Sequence, residues 1–217
     1  MAGKQLFIAG DSTASSYSQD CAPMTGWGQV IGDYLFGVTI RNFAFSGRSS
    51  KSFIEEGRLQ NMEQHFKQGD LLLIQFGHND AKQDERFTTP FSTFKQYLKE
   101  FISSAKTKGV TPILLTPVQR RSFTEDGHFV ETHGDYPVAI RELAQSEKVA
   151  MIDVTKESRV LFENIGPKEL KTLFMWLPPR NHSNYEDGIQ DDTHFSEVGA
   201  RTIAKLIVRN LQSQKLL

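Results

Sequence analysis

Leu6-Phe7-Ile8-Ala9-Gly10-Asp11-Ser12-Thr13-Ala14 is a short apolar run that ends in a small, tight, polar turn. An apolar run bounded in this way reads as a buried strand, and the turn delivers Ser12 to its carboxyl end. Open α/β folds keep their sites along that edge of a parallel sheet. The same pattern recurs downstream. Residues 38–44 alternate and begin with β-branched side chains, which predicts a second strand, followed by a Ser- and Gly-rich turn over 46–52. Residues 71–76 (Leu-Leu-Leu-Ile-Gln-Phe) are almost wholly apolar, as a central parallel strand covered on both faces requires. Residues 110–115 and 149–153 read as the fourth and fifth strands.

Helical patterns fill the intervals. Trp27, Val30, Ile31, Tyr34 and Leu35 predict a helix over 27–36, and 54–67 reads as helix broken at Gly57. Pro90 opens a helix with Phe91, Phe94, Tyr97, Leu98, Phe101, Ile102 and Ala105 on one face, ended by Gly109. Residues 136–147 form the next helix, and 155–177 are read as helical with a break at Gly166-Pro167. Ser196 caps a last helix whose Val198, Ile203, Leu206, Ile207 and Leu211 face the core. Residues 117–135 and 178–193 are irregular and long enough to serve a function. Strands alternating with helices give a three-layer α/β/α, flavodoxin-like fold with a central parallel sheet of about five strands. No boundary interrupts it, so residues 1–217 are expected to form a single domain.

Bulk composition narrows the chemistry. The chain has 217 residues, 38% of them hydrophobic, enough to bury a core without staples. A net charge of −1 argues against a general nucleic-acid binder. Cys21 is the only cysteine, which excludes an intramolecular disulfide and argues against a cysteine-based zinc site. The opening residues lack a signal-peptide pattern and no stretch is long enough to span a membrane, so a cytoplasmic protein is expected. Gly26, Gly28 and Gly32 do not make a dinucleotide fingerprint, and there is no Gly-x-Ser-x-Gly elbow.

A serine after a strand is by itself an ordinary turn residue. Three later stretches supply what a serine nucleophile needs. Asp191 and His194, three residues apart, can converge on one side of a turn or first helical turn, with the carboxylate fixing the imidazole tautomer. Asp192 competes for that task, but adjacent side chains diverge, which favours Asp191. Gly47 and Asn79 both follow strands and so lie on the same sheet edge as Ser12. A glycine N–H and an amide N–H, with the Ser12 N–H, can bind an oxyanion. Taken together these residues predict ester hydrolysis through an acyl-enzyme on Ser12, with His194 as base.

These blocks carry a resemblance. Gly10-Asp11-Ser12, Gly47, Gly77-His78-Asn79-Asp80 and Asp191-Asp192-Thr193-His194 are similar, in order, to the blocks of the SGNH (GDSL-like) hydrolases. Gly26-Trp27-Gly28, Gly47-Arg48-Ser49-Ser50 and Thr116-Pro117-Val118 make the chain look most like the rhamnogalacturonan acetylesterases of carbohydrate esterase family 12. The resemblance implies a catalytic set of Ser12, Asp191 and His194, and an oxyanion hole of Ser12, Gly47 and Asn79. It implies an acetylated oligosaccharide from pectin as substrate, and neither cofactor nor metal. Neither nucleic acid nor membrane is expected as a partner, and the sequence does not set the oligomeric state. Further candidates surround this set. His78 can contact substrate or be structural, and Trp27 can be a sugar platform or core. Arg48 is a candidate substrate contact, and Arg120, Arg121 and Arg180 could meet uronate carboxylates. His182, with Asn181 and Asn184, can line the cleft. His65, His128 and His133 are expected on the surface. An esterase for another acyl group and a non-catalytic sugar-binding module are the rival readings.

Overall fold

Leu6 and Ile8 on one side of the first strand, and Phe7 and Ala9 on the other, are all completely buried, so helices must cover both faces. The computed structural model describes residues 3–217; Met1 and Ala2, included in the predicted domain, lie outside the described residues. Five strands, β1 (Gln5–Gly10), β2 (Thr39–Asn42), β3 (Leu71–Gln75), β4 (Thr111–Leu115) and β5 (Ala150–Ile152), form one sheet in the order β2-β1-β3-β4-β5. Every pairing is parallel. Leu6 and Ile8 pack with α1 (Trp27–Val30), α6 (Val154–Ile165) and α7 (Glu197–Ser213). Phe7 and Ala9 pack with α2 (Ser50–Glu55), α3 (Arg58–Glu63), α4 (Lys95–Thr107) and α5 (Tyr136–Glu147). The α/β/α layering matches the sequence reading. Each fully buried Leu, Ile or Phe in these layers contributes roughly 1.5–3 kcal/mol.

Register explains how the site is assembled. Ile8 pairs with Asn42 and Gly10 with Gln75, so β1 lies between β2 and β3. The turns after the three strands therefore leave the sheet side by side, with Ser12 in the middle.

Several elements differ from the prediction. The helix expected over 27–36 is one α turn continued as a 3-10 segment, Ile31–Tyr34, which still buries Trp27, Val30, Ile31 and Leu35. The turn over 46–52 is shorter than expected, because Ser49 caps α2. Phe91, at a wide first helical turn, and Val198, in the first turn of α7, are exposed rather than core-facing. The largest difference lies at 174–195. Phe174–Leu177 is a strand, β6, rather than the end of a helix, and it pairs antiparallel with β7 (Ile189–Phe195). The aromatic run before Pro178-Pro179 carries a strand signal, but the partner run Gln190-Asp191-Asp192-Thr193 is too polar to show alternation. None of the described helices is long and apolar enough to cross a membrane.

Candidate active site

Asp11 anchors the turn that carries Ser12. Its Oδ1 accepts the Thr13 N–H (2.9 Å) and hydroxyl (2.8 Å), and its backbone carbonyl accepts the Ser15 hydroxyl. Thr13 Oγ1 in turn accepts from Gln75 Nε2 (2.7 Å), whose Oε1 accepts the Trp27 indole N–H (3.1 Å). Tyr17 donates its hydroxyl to the Ser12 carbonyl at 2.8 Å. The backbone of the serine turn is thus held by a buried network reaching into β3 and α1.

Asp11 Oδ2 faces His78 Nδ1 at 3.1 Å, in a wholly buried pair. Burial pushes the Asp11 carboxyl up, but His78 and the Thr13 donors outweigh it and hold it below the ordinary carboxylate value. The His78 ring meets the His133 ring edge to face at 4.6 Å between centroids. His133 is buried, not on the surface as expected, because its ring packs on His78 and its Nε2 donates to the Val118 carbonyl at 2.8 Å. Burial, with His78 and Arg120 nearby, holds its pKa well below the ordinary histidine value.

Asp191 and His194, expected as orienter and base, lie on β7. Met175 pairs with Asp191 and Phe174 with Phe195, so one step along β6 faces four along β7. Asp192, Thr193 and His194 bulge out of the hairpin, which turns Asp191 and His194 to the same side. Asp191 Oδ1 accepts the Thr193 and His194 backbone N–H groups at 2.7 and 2.9 Å, and Oδ2 meets His194 Nδ1 at 2.7 Å. Burial raises the Asp191 carboxyl, but the His194 bonds and charge dominate and bring it down to about 2. An ionised Asp191 accepts Nδ1–H, which leaves His194 Nε2 as the lone-pair nitrogen. Asp192 is occupied elsewhere: its Oδ1 takes Arg121 Nη1 and the Trp176 indole N–H, each at 2.8 Å.

The turn after β2 supplies Gly47, whose φ of 80° favours glycine. The turn after β3 supplies Asn79, which donates one amide hydrogen to the Arg48 carbonyl at 3.0 Å and keeps a second. Asp80 fastens that turn by accepting from Ser50, Gly77 and Thr88, and burial pushes its carboxyl up to about 7 against the pull of the Ser50 and Thr88 bonds. Neither Ser12 N–H nor Gly47 N–H donates to another group among the described residues. Ser12, Gly47, Asn79, Asp191 and His194 all line one cavity of about 300 Å³.

His78 also lines this cavity, together with Ser46, Thr193, Lys82 and Arg120. The other candidate contacts lie elsewhere. Trp27 is completely buried in the core. Arg48 is turned to Glu56 at 2.9 Å and stacks on Phe45. Arg121 is bound to Asp192, while Arg180 and His182 sit in the loop between β6 and β7 and do not line the cavity. Lys82, Ser46 and Tyr17 were not legible as site residues, since a charged loop, a turn serine and a loop tyrosine carry no chemical pattern of their own.

Comparison with known proteins follows the same lines. The GDSL-like Lipase/Acylhydrolase family matches residues 8–202. The rhamnogalacturonan acetylesterase RhgT of Bacillus subtilis (strain 168) is 50% identical over 209 residues, covering 96% of this chain and 89% of its own. The probable rhamnogalacturonan acetylesterase YesY of the same organism is 40% identical, covering 95% of this chain and 92% of its own. Among solved structures, the crystal structure of Bacillus subtilis YxiM superposes with a TM-score of 0.84 at 30% identity, covering 98% of this chain and 57% of that one.

Proposed function

The chain belongs to the GDSL-like lipase/acylhydrolase family and is a carboxylic ester hydrolase, and we propose that it removes acetyl groups from the sugars of rhamnogalacturonan fragments by way of an acyl-enzyme on Ser12. The substrate class follows the named activities of the two relatives. The observation that carries the mechanism is the convergence of Ser12, Gly47, Asn79 and the Asp191–His194 couple on one cavity from three turns and the β7 bulge.

In this reading His194 Nε2 takes the Ser12 hydroxyl proton as Oγ attacks the acetyl carbonyl carbon. The oxyanion is held by Ser12 N–H, Gly47 N–H and the second Asn79 amide hydrogen, each contributing about 2.7–4 kcal/mol at the transition state. His194 passes the proton to the departing sugar oxygen, leaving acetyl-Ser12. Water, deprotonated by His194, then releases acetate and restores the serine. Asp191 keeps the imidazole in its tautomer and stabilises the imidazolium. A single domain suffices in this reading, because Ser12, Gly47 and Asn79 leave one edge of the five-stranded sheet and the β7 bulge brings Asp191 and His194 to the same cavity.

Acetate release tests the reading. Acetylated rhamnogalacturonan fragments, acetylated xylan fragments and a butyryl ester are offered to the wild type and to Ser12→Ala. Serine-dependent release that favours the rhamnogalacturonan fragments is expected. Equal or better turnover of xylan or butyryl esters would overturn the substrate assignment, and activity retained by Ser12→Ala would overturn the nucleophile.

A further inference from the structure

Arg120 enters the wall of the catalytic cavity without a carboxylate partner. Its Nη1 donates to Thr132 Oγ1 (3.1 Å), to the Thr132 carbonyl (3.4 Å) and to His133 Nδ1 (3.5 Å); its Nη2 donates to the His78 carbonyl (3.3 Å). All four acceptors are neutral. His133 offers Nδ1 as an acceptor because its Nε2 carries the hydrogen given to Val118. The guanidinium is therefore held in place by groups that orient it but do not cancel its charge. The arginines around it are spent: Arg48 on Glu56, Arg86 on Asp84 and Arg121 on Asp192. Lys82 lines the same cavity and is likewise without a salt bridge among the described residues. The one carboxylate lining the cavity, Asp191, is committed to His194, and Asp11 behind it to His78. A fixed, partly desolvated cation is costly unless a ligand anion completes it.

We propose that Arg120, assisted by Lys82, binds the carboxylate of a uronic acid residue in the substrate and so sets the enzyme's preference for acidic over neutral acetylated sugars. This rests on the function proposed above. The planar guanidinium suits a carboxylate through a two-point contact, while Lys82 adds a point charge from the loop after β3.

The test uses inhibition, which separates this claim from the substrate reading. Deacetylated rhamnogalacturonan oligosaccharide and its carboxyl-reduced counterpart are compared as inhibitors of p-nitrophenyl acetate hydrolysis, each variant read against its own uninhibited rate. In the wild type the acidic sugar is expected to bind about 10- to 100-fold more tightly than the neutral one. Arg120→Gln is expected to collapse that ratio towards one, Arg120→Lys to retain part of it, and Lys82→Gln to reduce it independently should Arg120→Gln fail to fold. A wild-type ratio of one, or a ratio unchanged in folded Arg120→Gln, would overturn the proposal. So would an equal loss of both inhibitors in Arg120→Gln, which would make the arginine a general wall residue. Failure of the substrate reading would show separately, as a wild type that discriminates the inhibitors yet releases no acetate from the acetylated fragments.

Discussion

Asp191 and Asp192 are neighbours with different tasks. Asp191 gives both oxygens to the His194 turn, whereas Asp192 ties Arg121 and Trp176 into the hairpin. Asp191→Asn is therefore expected to lower kcat by about 10³- to 10⁴-fold, because an amide orients the wrong tautomer. Asp192→Asn is expected to lower thermal stability and leave kcat within a few-fold. Stability against pH adds a second check. The Asp191 carboxyl is brought down to about 2 from an ordinary value of 3.8. A depressed carboxylate stabilises the fold above its unfolded pKa, and that contribution is lost as pH falls through its folded pKa. Urea unfolding of the wild type should thus lose on the order of 2 kcal/mol between pH 4 and pH 2 that Asp191→Asn does not lose. Asn79→Ala should cost about 10²- to 10³-fold in kcat with little change in KM, as expected for a donor used in the transition state. A comparable rise in KM would instead assign Asn79 to ground-state binding.

At the scale of elements, the Gly26-Trp27-Gly28 stretch acts as a brace for the serine turn. A Cβ on Gly26 would sit 2.1 Å from the Ser15 carbonyl oxygen, and one on Gly28 would sit 2.4 Å from that of Ala14. Trp27 N–H donates to the Thr13 carbonyl at 2.9 Å, and its indole to Gln75 at 3.1 Å. Both obstructions are backbone, so relief must move the turn. Gly26→Ala is expected to destabilise the protein by about 1–3 kcal/mol and to cost on the order of 10²-fold in kcat through misplacement of Ser12. Normal activity in that variant would show that the turn does not depend on α1. The brace also shows where sequence reading stops. Apolar runs revealed the central strands, because a strand covered on both faces is apolar throughout, and the spacing of apolar residues revealed α4 and α7, because each buries one face. The role of Trp27 was legible only as two alternatives, since an indole needs an acceptor that β3 supplies from far along the chain. The β6–β7 hairpin was missed for a related reason. Its polar strand has no apolar alternation, because the bulge turns Thr193 and His194 to the cavity and Asp192 to Arg121 and Trp176 instead of the core.

Over the whole molecule, the strand order β2-β1-β3 does the arranging. With β1 in the middle, Ser12 is flanked by Gly47 and Asn79 from its two neighbours, and the β7 bulge closes a third side. The shared sheet edge of Ser12, Gly47 and Asn79 could be read from the sequence because it depends on chain order and on strand ends, which local patterns reveal. The charge balance of the cavity could not, because it depends on which arginines find partners in space. The claim on which all else rests is that Ser12 carries the acyl group. Rapid acid quench during turnover of a simple acetyl ester, followed by peptide mass mapping, tests it directly. One acetyl group is expected on the peptide containing Ser12 and none in Ser12→Ala, which is expected not to turn over. Continued turnover with Ser12 unmodified would contradict it.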